Sequence, residues 1–207
     1  MKIRFFLLFA LSAIGASIIG SCAAAPNPSP TSAPQGAYIL DPNHTSVTWS
    51  LSHSGLSNYT ARFNGITGAL DFYPQSPEKS RVDIIIDPMS LSTGLPEFDK
   101  TLITDKKYFD AENHPEIRFT STDITPTGET TAVITGDITF RGVTRPVDLI
   151  TKFNGAGKSF GHPGETLGFS ATAEIYRSKW GMDYLITLAN IGDKVTLRIE
   201  AEFNEKQ

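Results

Sequence analysis

From residue 44 onward, apolar and polar residues alternate with a period of two, and the pattern recurs along the chain. Val47, Trp49, Leu51 and His53 alternate with Thr48, Ser50 and Ser52; Ile66, Gly68, Leu70 and Phe72 share one face; Val82, Ile84 and Ile86 share another. The same parity links Ile117, Phe119 and Ser121, then Ile134, Ile138 and Phe140, then Val147, Leu149, Thr151 and Phe153. It ends with Leu167, Phe169, Ala171, Ala173 and Ile175, and with Val195, Leu197, Ile199, Ala201 and Phe203. Alternation at 180° per residue predicts half-buried strands, eight of them here. One apolar face per strand is the signature of antiparallel pairing with one side in water.

Turn formers separate the runs: Pro74 to Pro77, Pro126-Thr127-Gly128, Gly142 and Gly155-Ala156-Gly157. So many half-apolar strands with open edges would aggregate, so the expected fold is all-β, a sandwich or a closed antiparallel barrel without a helical core. Only Leu95 to Ala111 breaks the alternation. Pro96-Glu97 resembles a helix start, with Phe98, Leu102 and Ile103 at helical spacing, which predicts a short helix capping one end. Ser178 to Leu188 leaves room for a second helical turn.

The N-terminus follows another pattern. Lys2 and Arg4 precede an apolar run from Phe5 to Ile19 and then small residues, the layout of an export signal. Ile19-Gly20-Ser21-Cys22 resembles a bacterial lipobox, which marks Cys22, the chain's one cysteine, for lipid attachment after loss of residues 1–21. An uncleaved anchor and ordinary cleavage near Ala23–Ala25 are the alternatives. Residues 22–37 hold Pro26, Pro28, Pro30 and Pro34 and no charge, so a semi-rigid tether is expected, with the folded domain over 38–207.

Composition narrows the function. With 40% hydrophobic and 19% charged residues, the chain is neither disordered nor a multi-span membrane protein. Its net charge of −4, without a Lys/Arg cluster, speaks against nucleic acid as a partner. One cysteine forms no internal disulfide, and among His44, His53, His114 and His162 no pair has metal spacing and a carboxylate–histidine cluster is expected to be absent. Gly157-Lys158-Ser159-Phe160-Gly161 matches a nucleophile elbow, but the following His162-Pro163-Gly164 is a poor helix start, so no catalytic residue is assigned. The inward faces are rich in rings and also carry Gly68, Ala171, Ala173 and Ala201. From alternation alone, the rings either fill a core or leave a slot. His53 reads either as a hydrogen-bonded core residue or as a contact to a head group. Arg177 reads either as the latter or as the partner of Asp41 or Glu174.

A resemblance adds to this reading. Tyr38-Ile39-Leu40-Asp41-Pro42-Asn43-His44-Thr45, His53-Ser54-Gly55, Ser92-Thr93-Gly94, Tyr108-Phe109-Asp110, His114-Pro115-Glu116-Ile117-Arg118-Phe119, Gly136-Asp137-Ile138-Thr139-Phe140-Arg141-Gly142-Val143-Thr144-Arg145-Pro146-Val147, Arg177-Ser178-Lys179-Trp180-Gly181-Met182 and Ile191-Gly192-Asp193-Lys194-Val195 occur in order. The set resembles the YceI-like polyisoprenoid-binding proteins of bacterial periplasms. One departure is Phe98-Asp99-Lys100-Thr101-Leu102, where that family often has Arg-Asp-x-His-Leu. The resemblance implies an extended eight-stranded, lipocalin-like antiparallel barrel with one or two short helices, holding an isoprenoid lipid, a polyprenyl chain or a quinone. It does not imply an enzyme, and it allows a homodimer; no metal is expected, and no cofactor beyond the bound lipid. The expected lining is Val47, Trp49, Leu51, His53, Phe72, Phe119, Ile138, Phe140, Phe153, Phe169 and Arg177. The expected setting is the periplasmic face of a bacterial membrane, held through Cys22, with a soluble periplasmic or secreted form as the alternative. Two rivals are an enzyme acting on a lipid ester through His53 or Ser159, and a structural accessory of a membrane complex with a packed barrel.

Overall fold

The computed structural model describes residues 24–207; the expected signal, 1–21, and Cys22 lie outside them. The described chain forms β1 (Gly36–Leu40), β2 (Ser46–His53), β3 (Ser57–Phe63), β4 (Ile66–Phe72), β5 (Arg81–Ile86), β6 (Leu91–Ser92), α1 (Pro96–Thr104), β7 (Ile117–Pro126), β8 (Thr131–Phe140), β9 (Val143–Gly157), β10 (Thr166–Tyr176) and β11 (Ile191–Glu205). These eleven strands make eight passes, because β1–β2, β3–β4 and β5–β6 are each one strand with an interruption.

All neighbours are antiparallel, and β11 closes the sheet. Its C-terminal end pairs with β1, Leu40 opposite Phe203, and the longer stretch before it with β2, Val47 opposite Ile199. The result is the closed eight-strand barrel, with a single α-helix among the described residues. The second helical segment is only a 3-10 turn, Arg177–Trp180. Each predicted apolar parity points inward. In β9, for example, Val147, Leu149, Thr151 and Phe153 are buried while Asp148, Ile150 and Lys152 are exposed.

The interruptions follow from local chemistry. Pro42 has no N–H to give a ladder, and the Asp41 carboxylate takes the Asn43 N–H instead, at 2.9 Å. At Asn64-Gly65 the chain meets the 3-10 turn Pro88–Ser90. Asp87 N–H donates to the Gly65 carbonyl at 2.9 Å and Asn64 N–H to the Ser90 carbonyl at 3.2 Å. A Cβ on residue 65 would meet Ser90 Cβ at 3.0 Å, so glycine permits this approach. The β8–β9 turn is Arg141-Gly142 with φ of 50° and 72°, the paired positive φ of a two-residue hairpin whose twist matches the strands.

The two ends differ. At one end, rings pack in series: Phe72 stacks on Phe153 at 6.2 Å, Phe153 meets Phe169 at 5.4 Å, and Phe169 meets Phe203 at 5.9 Å. The Pro-rich stretch, expected as a tether up to residue 37, runs against this end. Asn27 bridges Ala156 through two backbone hydrogen bonds, Ala33 is buried, and the Tyr38 hydroxyl donates to the Pro34 carbonyl at 2.8 Å. Proline leaves extended backbone with free carbonyls, to which donors of the barrel give hydrogen bonds. At the other end lie the 54–56 hairpin tip, the 93–116 segment with α1, and the 177–190 loop. Here α1 buries Leu102 and Ile103, and the Phe109 ring packs against Phe63 and Phe140, each at 5.5 Å.

Candidate functional site

Between the ring-filled end and the open end the barrel encloses a cavity of about 340 Å³, lined from every pass. Its wall is built by strand parity. Leu51, Ile84, Ile134, Leu197 and Ile199 point inward from mid-strand, yet are only half-buried. Their neighbours in sequence face the solvent, so their uncovered surface faces the cavity. A fully packed core would have covered it.

Nine of the expected lining residues meet around this space: Val47, Trp49, Leu51 and His53 along β2, Phe119 from β7, Ile138 and Phe140 from β8, Phe169 from β10, and Arg177. Phe72 and Phe153 do not line it. Both point inward as alternation requires, but they sit at the ring-filled end and seal it. Trp49 is buried against Tyr59 and Phe109, at 6.3 and 6.4 Å. Its Nε1 and the Tyr59 hydroxyl are buried without a hydrogen-bond partner among the described residues.

His53 is not a core residue. It ends β2, is exposed, and stands at the rim where the cavity opens. Arg177 pairs with neither Asp41 nor Glu174, which are taken by His44 at 3.0 Å and Lys194 at 2.9 Å. Its guanidinium is buried and donates to four backbone carbonyls: Gly192 at 2.9 Å, Met182 at 2.8 Å, Tyr184 at 3.0 Å and Ile191 at 3.1 Å. Burial lowers its pKa, and the nearby Asp193 and Asp183 oppose the shift. With those bonds made, Arg177 has little to offer a ligand head group; it ties the 181–192 loop to the barrel.

Parity along the predicted strands missed other wall residues. Tyr59 belongs to β3, where only Tyr59, Ala61 and Phe63 alternate with Thr60 and Arg62 after the polar Ser57 and Asn58, a run of three apolar positions. Phe98 and Leu102 come from α1; Phe98 meets Tyr59 edge-on at 5.9 Å, so the departure at this motif puts an apolar ring in the wall, while Thr101 is exposed. Tyr108 and Leu185 come from loops, where no periodicity marks them.

The structure also assembles a carboxylate–histidine cluster that strand parity did not reveal. Ligand atoms of Asp41, His44 and Glu202 lie within 4.8 Å of one another on the outer surface, where they could hold a cation. The Asp41–His44 hydrogen bond already accounts for much of this grouping, and it raises the His44 pKa. The Gly157–Gly161 motif lies at the end of β9 and runs into a turn with Phe160 fully exposed, rather than into a helix.

Comparisons place this geometry among known proteins. The model of the YceI-like domain matches residues 38–203. A protein of Pseudomonas savastanoi pv. phaseolicola called UPF0312 is 35% identical over 148 residues, 70% of this chain and 76% of its own. The crystal structure of a Campylobacter jejuni YceI protein superposes with a TM-score of 0.65 at 28% identity, covering 73% of this chain and 88% of that one. A domain of Saccharophagus degradans, described as polyisoprenoid-binding, shares the fold with a TM-score of 0.64 at 13% identity, covering 84% and 100%.

Arg177→Met should lower the unfolding free energy by about 3 kcal/mol, since it strands buried carbonyls that lose a charged donor. Chemical denaturation measures this; a loss below about 1 kcal/mol would show that the carbonyls find other partners.

Proposed function

The chain belongs to the YceI-like family, and on that premise we propose that it is a non-enzymatic carrier that holds an isoprenoid lipid, a polyprenyl chain or a quinone, inside its barrel. The observation that carries this reading is the set of half-buried aliphatic side chains pointing inward around the cavity. Such a wall recognises hydrocarbon by area and shape. At roughly 0.8 kcal/mol per buried carbon, each five-carbon isoprene unit gives about 4 kcal/mol, so a few units offset the cost of immobilising a flexible chain. The volume falls near the lower end of the range for small-molecule sites, roughly 300–1,000 Å³. The barrel it shares with the polyisoprenoid-binding domain of Saccharophagus degradans supports the same reading.

The rival of a lipid-acting enzyme finds less support. Ser159 lies beyond β9, in the loops at the ring-filled end and away from the cavity wall, and His53 reaches that wall only at its rim, among almost wholly apolar side chains. Ala171 faces the cavity from β10 and distinguishes a carrier from a packed structural accessory. Ala171→Phe should fill the space, lowering polyprenol affinity at least tenfold, read from Trp49 fluorescence in detergent solution, while stability changes by no more than about 1 kcal/mol. A destabilisation above about 3 kcal/mol with unchanged affinity would mean that Ala171 is packed core and that the chain binds elsewhere.

We further propose that the protein is exported and lipid-anchored through Cys22 on the periplasmic face of a bacterial membrane. The lone cysteine between a signal-like run and a proline-rich stretch supports this. Cys22→Ala should move the protein from the membrane fraction to the soluble one on fractionation. A variant that stays with the membrane would assign the anchor to the apolar segment itself or to another component.

A further inference from the structure

Three loop segments on the rim of the open end carry no charge. On one arc, Ser54 to Asn58 at the β2–β3 tip, Thr93-Gly94-Leu95 before α1, and Tyr184 to Ile191 before β11 contain no charged residue, in a chain that is 19% charged. Each presents a leucine to solvent: Leu56 is 87% exposed, Leu95 59% and Leu188 83%. The three segments adjoin. Ser54 N–H donates to the Asn190 carbonyl at 3.1 Å and Ser54 Oγ to the Ala189 carbonyl at 2.9 Å, which join the hairpin tip to the last loop. The Phe98–Tyr59 contact brings the first turn of α1 to β3. Just inside this arc are His53, Tyr59, Phe98, Leu185 and Ile191, all part of the cavity wall. Charged residues flank the arc without entering it: Asp183 precedes Tyr184, Lys107 Nζ stands 4.7 Å from the centre of the Tyr184 ring, and Glu97 follows in the first turn of α1, while the loops at the ring-filled end carry Glu78, Lys79, Glu129, Lys158 and Glu165.

Exposed leucines are unremarkable singly, but three on adjoining uncharged loops, continuous with an apolar cavity, form a surface suited to a low-dielectric partner. Charges would oppose entry into such a medium; leucine, serine, threonine and asparagine sit readily at the boundary between head groups and acyl chains. We propose that this uncharged arc docks on the surface of a zwitterionic phospholipid bilayer, and that the barrel exchanges its apolar chain across it. The proposal rests on the carrier reading for the identity of what is exchanged. Residues 26–35 are held at the ring-filled end, so a molecule anchored by its N-terminus presents the arc to a bilayer facing the one that carries it.

The test is amide hydrogen exchange of the full chain with and without excess phosphatidylcholine vesicles. Amides of 54–58, 93–95 and 184–191 should exchange at least threefold more slowly with vesicles, while 127–130 and 158–165 stay unchanged. A Leu56→Asp/Leu188→Asp variant, altered only at exposed positions, should lose this protection, and polyprenol transfer from vesicles to the protein should slow about tenfold. Protection at the ring-filled end, protection retained in the variant, or no protection at all would overturn the proposal. So would protection that grows with protein concentration without vesicles, which would assign the arc to a second copy of the chain. Polyprenol binding in detergent solution is measured separately. Binding without loop protection removes only the docking proposal; loop protection without binding removes the carrier reading.

Discussion

Closure of the sheet depends on one long strand serving two partners. β11 pairs with β2 along most of its length and with β1 at its C-terminal end, so the interrupted first pass seals the edge that would otherwise stay open. Once closed, the sheet has a fixed number of passes and therefore a fixed girth. Eight passes give an interior that side chains either fill or leave open for one ligand. Both outcomes occur here, at different depths. Phe72, Phe153, Phe169 and Phe203 fill one end, where the incoming chain also packs. At mid-barrel the inward positions hold aliphatics and the small Ala171 and Ala201, and these do not reach across.

A cavity open at one end needs a lip that keeps its shape, and here a buried charge supplies it. The loop after β10 has little regular structure beyond its opening 3-10 turn, and side chains share with a few local turns the task of holding its carbonyls. Arg177 collects four of them, and Asp193 accepts hydrogen bonds from Ser178 N–H and Oγ at 2.9 and 2.8 Å. Burying a guanidinium carries a desolvation penalty, which well-placed carbonyls and nearby carboxylates offset. The charge is thus spent on the loop, and the wall presented to a ligand stays almost wholly apolar.

Much of the fold was legible because a strand's parity is a local property. All eight predicted runs fall within the eight passes, and the helix starts at Pro96 as expected. Parity says which face a residue joins, but not how far along the barrel axis it lies. Phe72 and Phe153 therefore read as lining when they are the seal. His53 had the parity of a core residue but sits at the strand's last position, where the sheet gives out. β1 and β3 escaped notice because their inward apolar positions are few: Tyr38 and Leu40 in one, Tyr59, Ala61 and Phe63 in the other. The partners of Arg177 were invisible because they are main-chain carbonyls, which every residue has; only loop conformation gathers them. The Asp41–His44–Glu202 grouping likewise depends on β1 and β11 being neighbours, which no local pattern encodes.

The central claim is that the mid-barrel space is a site for a long apolar chain rather than an imperfectly filled core. It is tested most directly by mass spectrometry of what organic solvent extracts from the protein purified from bacterial cells without added lipid. The account predicts near-stoichiometric recovery of a molecule bearing a polyprenyl chain. Protein recovered empty, or carrying only a polar or charged small molecule, would contradict it.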